Sequence, residues 1–262
     1  MEKYYTRACN FYFGKISALK LKKKKSLALH GNKNISFDHI EVLSRKSSKT
    51  VHINDINKLK KKIKIKVKSD LNKITKKKYF LKLNLSKSPL TMGVINLTPD
   101  SFSDGGKYNH KNKAYDFSKK LIRDGVDIID IGGESTRPGS KQVSEKEEWK
   151  RINSALIKIK KLKKIISLDT RKSMIMKKGI GHGVNIINDV SGLEYDCNSI
   201  NVIKKFNSPF VINHIQGTPS TMQSNPKYKN VLLDIYDFFE KKLSFARKKG
   251  IKHNNILLDP GI

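Results

Sequence analysis

Six short apolar runs, each closed at its carboxyl end by Asn, Asp or His, constrain this 262-residue chain more than any other feature. They occupy residues 92–97, 127–131, 165–168, 185–187, 210–212 and 256–258. Their unbroken hydrophobicity suits strands buried on both faces of a parallel sheet. Amphipathic helices lie between them. Trp149, Ile152, Leu156 and Ile159 step along one helical face, and Ser144 with Glu147 forms a capping box at its start. Leu232, Ile235, Phe239, Leu243 and Ala246 make a second stripe, which ends at Gly250 in the position of a left-handed helix terminator. Strand then helix, repeated in this way, predicts an α/β fold, either a (β/α) barrel or a doubly wound sheet.

The polar residues decide between the two. Asn96, Asp130, Asp169, Asn188 with Asp189, His214 and Asp259 fall at or just after the six strands. In a (β/α)8 barrel those ends converge on one rim, where binding sites are built. Each residue alone reads more simply as a turn residue or helix cap; six in succession favour the rim. The connections after the first two strands, about 98–111 and 132–143, are longer than the usual 2 to 6 residues of such loops, as substrate-covering segments are. The second carries Arg137, one of only seven arginines, which reads as a bidentate contact to phosphate or carboxylate, or as a partner for Glu134.

Residues 1–89 differ in texture and are read as a Lys-rich extension ahead of a barrel domain at 90–262. The chain holds 55 Lys and Arg against 23 Asp and Glu, a net charge of +32, and the excess is concentrated in the first third. Because 48 of the 55 are Lys, in a chain also rich in Ile and Asn, the bias argues for base composition of the genome over recognition of nucleic acid. Alternation of Ile63, Ile65 and Val67, and of Leu81, Leu83 and Leu85, predicts two strands of a hairpin, with a shorter strand at 35–42. The start lacks the apolar segment of a secretory signal and no run reaches the roughly 18 residues of a membrane span, so a soluble cytoplasmic protein without membrane contact is expected. Two cysteines, Cys9 and Cys197, cannot build a disulfide framework or a four-ligand zinc site.

Residues 93–106, Gly-Val-Ile-Asn-Leu-Thr-Pro-Asp-Ser-Phe-Ser-Asp-Gly-Gly, resemble the first signature of dihydropteroate synthases, and 129–139, Ile-Asp-Ile-Gly-Gly-Glu-Ser-Thr-Arg-Pro-Gly, resemble the second. Ser167-Leu168-Asp169-Thr170, Ile186-Ile187-Asn188-Asp189, His214-Ile215-Gln216-Gly217 and Leu257-Leu258-Asp259-Pro260-Gly261 follow in the family's order and spacing. The resemblance implies a pterin-binding TIM barrel that joins 6-hydroxymethyl-7,8-dihydropterin pyrophosphate to p-aminobenzoate, giving 7,8-dihydropteroate and pyrophosphate for folate synthesis, with sulfonamides as competitors. It implies that Asp169, Asn188 and Asp259 hold the pterin, that His214 and Thr136 bind substrate, and that Asn96 binds Mg²⁺. Arg137 and Asp100 become the catalytic candidates, and Ser101, Phe102 and Pro138 belong with them to the loops that close over p-aminobenzoate and the leaving group.

The family pattern continues beyond a sixth strand with further Lys, Arg and His residues that have no counterpart here. About 172 residues supply six units where eight need about 250. Residues 1–262 alone are therefore expected to form an incomplete barrel, marginally stable and with little synthase activity, and to lack the last helices through which the family forms homodimers. Two alternatives stand beside the synthase: a non-catalytic pterin-binding relic, and a methyltetrahydrofolate-dependent methyltransferase, against which the residues 134–139 argue.

Overall fold

The computed structural model describes residues 2–86, 89–98, 110–135, 142–217, 221 and 225–261, with the backbone only for His110 and Lys111. The chain forms two compact units, Met1–Pro89 and Leu90–Ile262.

In the first unit a long central strand organises a small antiparallel sheet. Strands β1 (Tyr5–Phe13), β2 (Leu27–Leu29), β3 (Asn32–Leu43) and β4 (Ser48–His52) are joined by helix α1 (Gly14–Lys22) between β1 and β2. β3 pairs with β1 on one side, and with β2 and then β4 on the other. The strand expected at 35–42 lies inside β3. Helix α2 (Lys61–Thr75) follows, then a two-rung ladder of β5 (Tyr79–Phe80) and β6 (Leu83–Asn84).

The expected hairpin is overturned. Residues 63–67 are helical, because a longer stripe at helical spacing, Ile63, Val67, Leu71 and Ile74, outweighs five residues of alternation. Val67 and Leu71 are buried with Phe37, Ile40, Val42, Val51 and Ile56, while Ile63 and Ile74 pack at the edge of that cluster. Ile65 stays 61% exposed on the opposite face. Asp70, between the two segments expected to pair, is an interior helix residue that accepts hydrogen bonds from Lys66 and from the Thr6 hydroxyl. Leu81 occupies the turn of the small ladder with a φ of +53°.

The second unit alternates strand and helix throughout: β7 (Met92–Asn96), α3 (His110–Arg123), β8 (Ile128–Gly132), α4 (Glu145–Ile159), β9 (Ile165–Asp169), α5 (Ser173–Gly181), β10 (Ile186–Asp189), α6 (Ser199–Phe206), β11 (Phe210–Asn213), α7 (Val231–Lys248) and β12 (Ile256–Asp259). All six strands are parallel and adjacent in sequence order. A doubly wound sheet reverses its strand order at a switch point; this one does not, and it has the course of six consecutive barrel strands.

Period-two alternation assigns the faces. Ile95, Ile129, Ile131, Ile166, Leu168, Ile187, Phe210 and Ile212 point to the helices and join Ile152, Leu156, Ile159, Ile175, Ile203 and Phe239 in one core. The other set of positions forms the inner face. The Ser144 hydroxyl caps α4 by accepting from the Glu147 amide at 3.2 Å, as expected. Gly250 follows the end of α7 with a φ of +88°, where a residue with a Cβ would be strained. In the first turn of α7 the buried leucine is Leu233, not Leu232, since Asn230 caps the Leu233 amide and sets the phase of the helix on the sheet. No helix among the described residues is long and apolar enough to cross a membrane.

The helical phase of α2 makes a direct prediction. Val67→Ala should destabilise the first unit by about 2 kcal/mol through lost burial and a cavity, whereas Ile65→Lys should change stability by less than about 0.5 kcal/mol. Urea denaturation of the two variants checks this, and equal losses would contradict the packing described.

Candidate functional site

Parallel strands in register bring Asn96, Gly132, Asp169 and Asn188 to one level on the inner face. Asn96 pairs with Gly132, Gly132 with Asp169, and Asp169 with Asn188. Gly132 is the gap in this row. A Cβ there would lie 3.4 Å from both Cβ and Oδ2 of Asp169, so a side chain at this position would rest against the carboxylate. Asp130 lies two residues below Gly132, on the same face and opposite Ser167.

A chain of hydrogen bonds crosses the row. The Asn213 Nδ2 donates to Asn188 Oδ1 at 3.0 Å, and Asn188 Nδ2 donates to Asp130 Oδ2 at 3.1 Å. The other carboxylate oxygen of Asp130 is buried with no hydrogen-bond partner among the described residues. Burial raises the Asp130 carboxyl above the usual carboxylate range, against the pull of the nearby Ser167 hydroxyl and of the Asn188 amide. Asp169 is raised well above that range, by burial first and then by the negative charges of Asp130, Asp189, Glu148 and Glu134. Asp189 points the other way. Its carboxylate takes the Ser191 amide and hydroxyl at 2.9 and 2.6 Å and the Leu193 amide at 3.0 Å, so it builds the turn after β10. For this strand-end acid the turn reading is right.

A buried ionic cluster supports the rim beside Asp169. Lys172 Nζ donates to Glu134 Oε1 (3.2 Å), Glu148 Oε2 (2.7 Å) and the Val143 carbonyl (2.6 Å). Arg171 Nε donates to Glu134 Oε2 at 3.1 Å, and its guanidinium lies 4.1 Å from the Tyr195 ring centre. Thr170 Oγ1 donates to Glu148 Oε1 at 2.6 Å. Burial pushes the Glu134 carboxyl up, but Arg171, the Val143 amide and Lys172 together hold it below its ordinary value. The cluster ties the end of β8, the start of α4 and the segment after β9 into one rigid piece.

The remaining expected residues are distributed unevenly. Asn96 and Asp259 end the two edge strands, β7 and β12. Asp259 is exposed, and its carboxylate accepts the Gly261 amide at 2.9 Å. His214 is buried just past β11, its ring packed among Tyr228, Phe238 and Phe239 with centroid separations of 5.9, 4.9 and 6.4 Å. Asp100, Ser101, Phe102, Thr136, Arg137 and Pro138 lie outside the described residues. Sequence reasoning placed Asp130 at the rim without giving it a role, and did not select Asn213, Glu148, Arg171 or Lys172. Asp130 and Asn213 carried the strand-end signal; Lys172 had none, being one lysine among 48.

Amide and carboxyl groups on one wall form an array of donors and acceptors suited to the polar edge of a planar heterocycle. Among the described residues no group of three or more His, Cys, Asp or Glu side chains is placed to hold a metal ion alone.

Two outcomes follow from the electrostatics. Lys172→Met leaves Glu134 and Glu148 short of their buried cation and should cost about 3–5 kcal/mol in urea denaturation, a loss that adding Glu148→Gln should partly restore. A carboxyl whose folded-state pKa is raised contributes stability that is present at low pH and lost as pH rises through that pKa. Asp169→Asn should therefore melt higher than the parent protein at neutral pH, and the difference should shrink as pH falls towards 4. A difference independent of pH would contradict the raised carboxyl.

The model of the family described as "Pterin binding enzyme" matches residues 92–262. The dihydropteroate synthase of Clostridium beijerinckii is 41% identical over 180 residues, covering 68% of this chain and 64% of that protein. That of Neisseria meningitidis serogroup B is 41% identical over 175 residues, covering 66% and 61%. Among solved structures, the Yersinia pestis dihydropteroate synthase with a sulfonamide drug superposes with a TM-score of 0.64 at 35% identity, over 71% of this chain and 68% of that one. The Xanthomonas albilineans enzyme with 4-aminobenzoic acid gives 0.62 at 33% identity, over 68% and 63%. The chain thus spans a little under two thirds of the length of these two curated relatives. With its parallel strands in barrel order and its polar row at their carboxyl ends, it belongs to the pterin-binding enzyme family.

Proposed function

We propose that this protein is a dihydropteroate synthase, a soluble cytoplasmic enzyme that condenses 6-hydroxymethyl-7,8-dihydropterin pyrophosphate with p-aminobenzoate in folate biosynthesis. The observation that carries the reading is the row Asn96, Gly132, Asp169 and Asn188 with the Asp130 chain beside it, on the inner face at the carboxyl ends of the strands. The relatives carry that activity in their names, and solved relatives hold a sulfonamide drug or 4-aminobenzoic acid.

In this reading Asp169 and Asn188 take the polar edge of the pterin, Asp259 contributes from the neighbouring edge, and His214 supports that end of the wall through its aromatic packing. The amine nitrogen of p-aminobenzoate forms a bond to the pterin methylene carbon. The carbon–oxygen bond breaks with its electron pair going to pyrophosphate, and the new secondary amine releases one proton. Arg137 and Asp100 act at this step, with Arg137 offsetting the charge of the departing pyrophosphate. Thr136, Pro138, Ser101 and Phe102 bound the p-aminobenzoate side. Asn96 ends β7 at the rim, and its amide oxygen suits Mg²⁺ held jointly by one protein oxygen and substrate phosphates. The ion would neutralise charge on the leaving group.

The test is product formation by protein expressed from its natural gene. With both substrates, 7,8-dihydropteroate and pyrophosphate should appear in equal amounts, and a sulfonamide should compete with p-aminobenzoate. Saturable pterin binding without product would favour a non-catalytic pterin-binding protein instead.

A further inference from the structure

We propose that Asn213 is a positioning residue that fixes which way round the Asn188 amide is presented to the pterin, and so sets the selectivity of the site for a 2-amino over a 2-oxo ring. This rests on the pterin reading of the site. Asn213 ends β11, is 9% exposed, and touches two acceptors through one nitrogen: the Asn188 Oδ1 at 3.0 Å and the Asp189 carbonyl at 3.4 Å.

The polarity of the chain follows from its ends. A backbone carbonyl can only accept, so the Asp189 carbonyl selects the nitrogen of the Asn213 amide for that side. The same nitrogen then meets Asn188, which must answer with its oxygen. Asn188 is left with its nitrogen towards Asp130, where an ionised carboxylate also accepts. Donation therefore runs in one direction, Asn213 to Asn188 to Asp130.

The two anchors are unequal. A carboxyl can carry a proton, and a protonated Asp130 could donate to Asn188 and accommodate the reversed amide. Asn213 cannot change in this way, because the acceptor that orients it is main chain. Asn213 therefore holds Asn188 in one sense whatever the protonation of Asp130. Among the described residues nothing takes the second lone pair of Asn188 Oδ1 or the second N–H of its Nδ2, and both are held in fixed places for a ligand.

A 2-amino group and a 2-oxo group place a donor or an acceptor at the same point of a pteridine edge, so a site of fixed polarity separates them and a reversible amide does not. The experiment compares dissociation constants of 6-hydroxymethylpterin and its 2-oxo counterpart, 6-hydroxymethyllumazine, for the natural-gene protein and for Asn213→Leu and Asn213→Asp. Far-UV circular dichroism shows whether each variant is folded. The parent should prefer the pterin, and Asn213→Leu, which keeps the branching at Cγ but removes the donor, should reduce that preference about fivefold, roughly the worth of one neutral hydrogen bond. Asn213→Asp, which offers Asn188 an acceptor, should reduce it at least as far. Folded variants with weaker binding of both probes and an unchanged ratio would overturn the proposal while leaving the pterin site intact. A parent protein that binds neither probe would overturn the pterin reading itself, and the proposal with it.

Discussion

In-register pairing of parallel strands is the constraint on which the site depends. Side chains one residue apart on a strand face opposite ways, so Asp169 and Asn188 reach the same wall only because β9 and β10 pair residue for residue at those positions. A slip of one residue would turn Asp169 into the apolar core and Leu168 out of it. The core enforces the register: Ile129, Ile131, Ile166, Leu168 and Ile187 are buried against the helices, and no one-residue shift keeps them there.

That arrangement concentrates negative charge. Asp130 and Asp169 share the inner face, with Glu134 and Glu148 close by, and burial raises the first two carboxyls. Without compensation such a site would oppose folding. Lys172 and Arg171 neutralise the two glutamates within the buried cluster. What remains is a wall with raised carboxyls and oriented amides, more discriminating towards a planar heterocycle than a fully ionised surface would be.

Legibility in the sequence varied with the range of the signal. The six strands, the α4 cap at Ser144 and the α7 terminator at Gly250 are local, each written in a few consecutive residues. The strand predicted at 63–67 failed because a short alternating run and a helical stripe share Ile63 and Val67, and only packing against Phe37 and Ile40 decides which period counts. Leu232 and Leu233 posed the same difficulty on a smaller scale.

By itself the sequence determined the parallel α/β class, the order of its elements and the residue types at each strand end, because strand and helix periods and cap chemistry act over a few residues. The tertiary structure alone decided that Asp189 closes a turn while Asp130 faces the site, that Asn213 donates to Asn188, and that Lys172 lies buried between two glutamates. Those outcomes depend on which face and which neighbour each side chain meets across strands tens of residues apart, and that is set by register and packing rather than by any local run of residues.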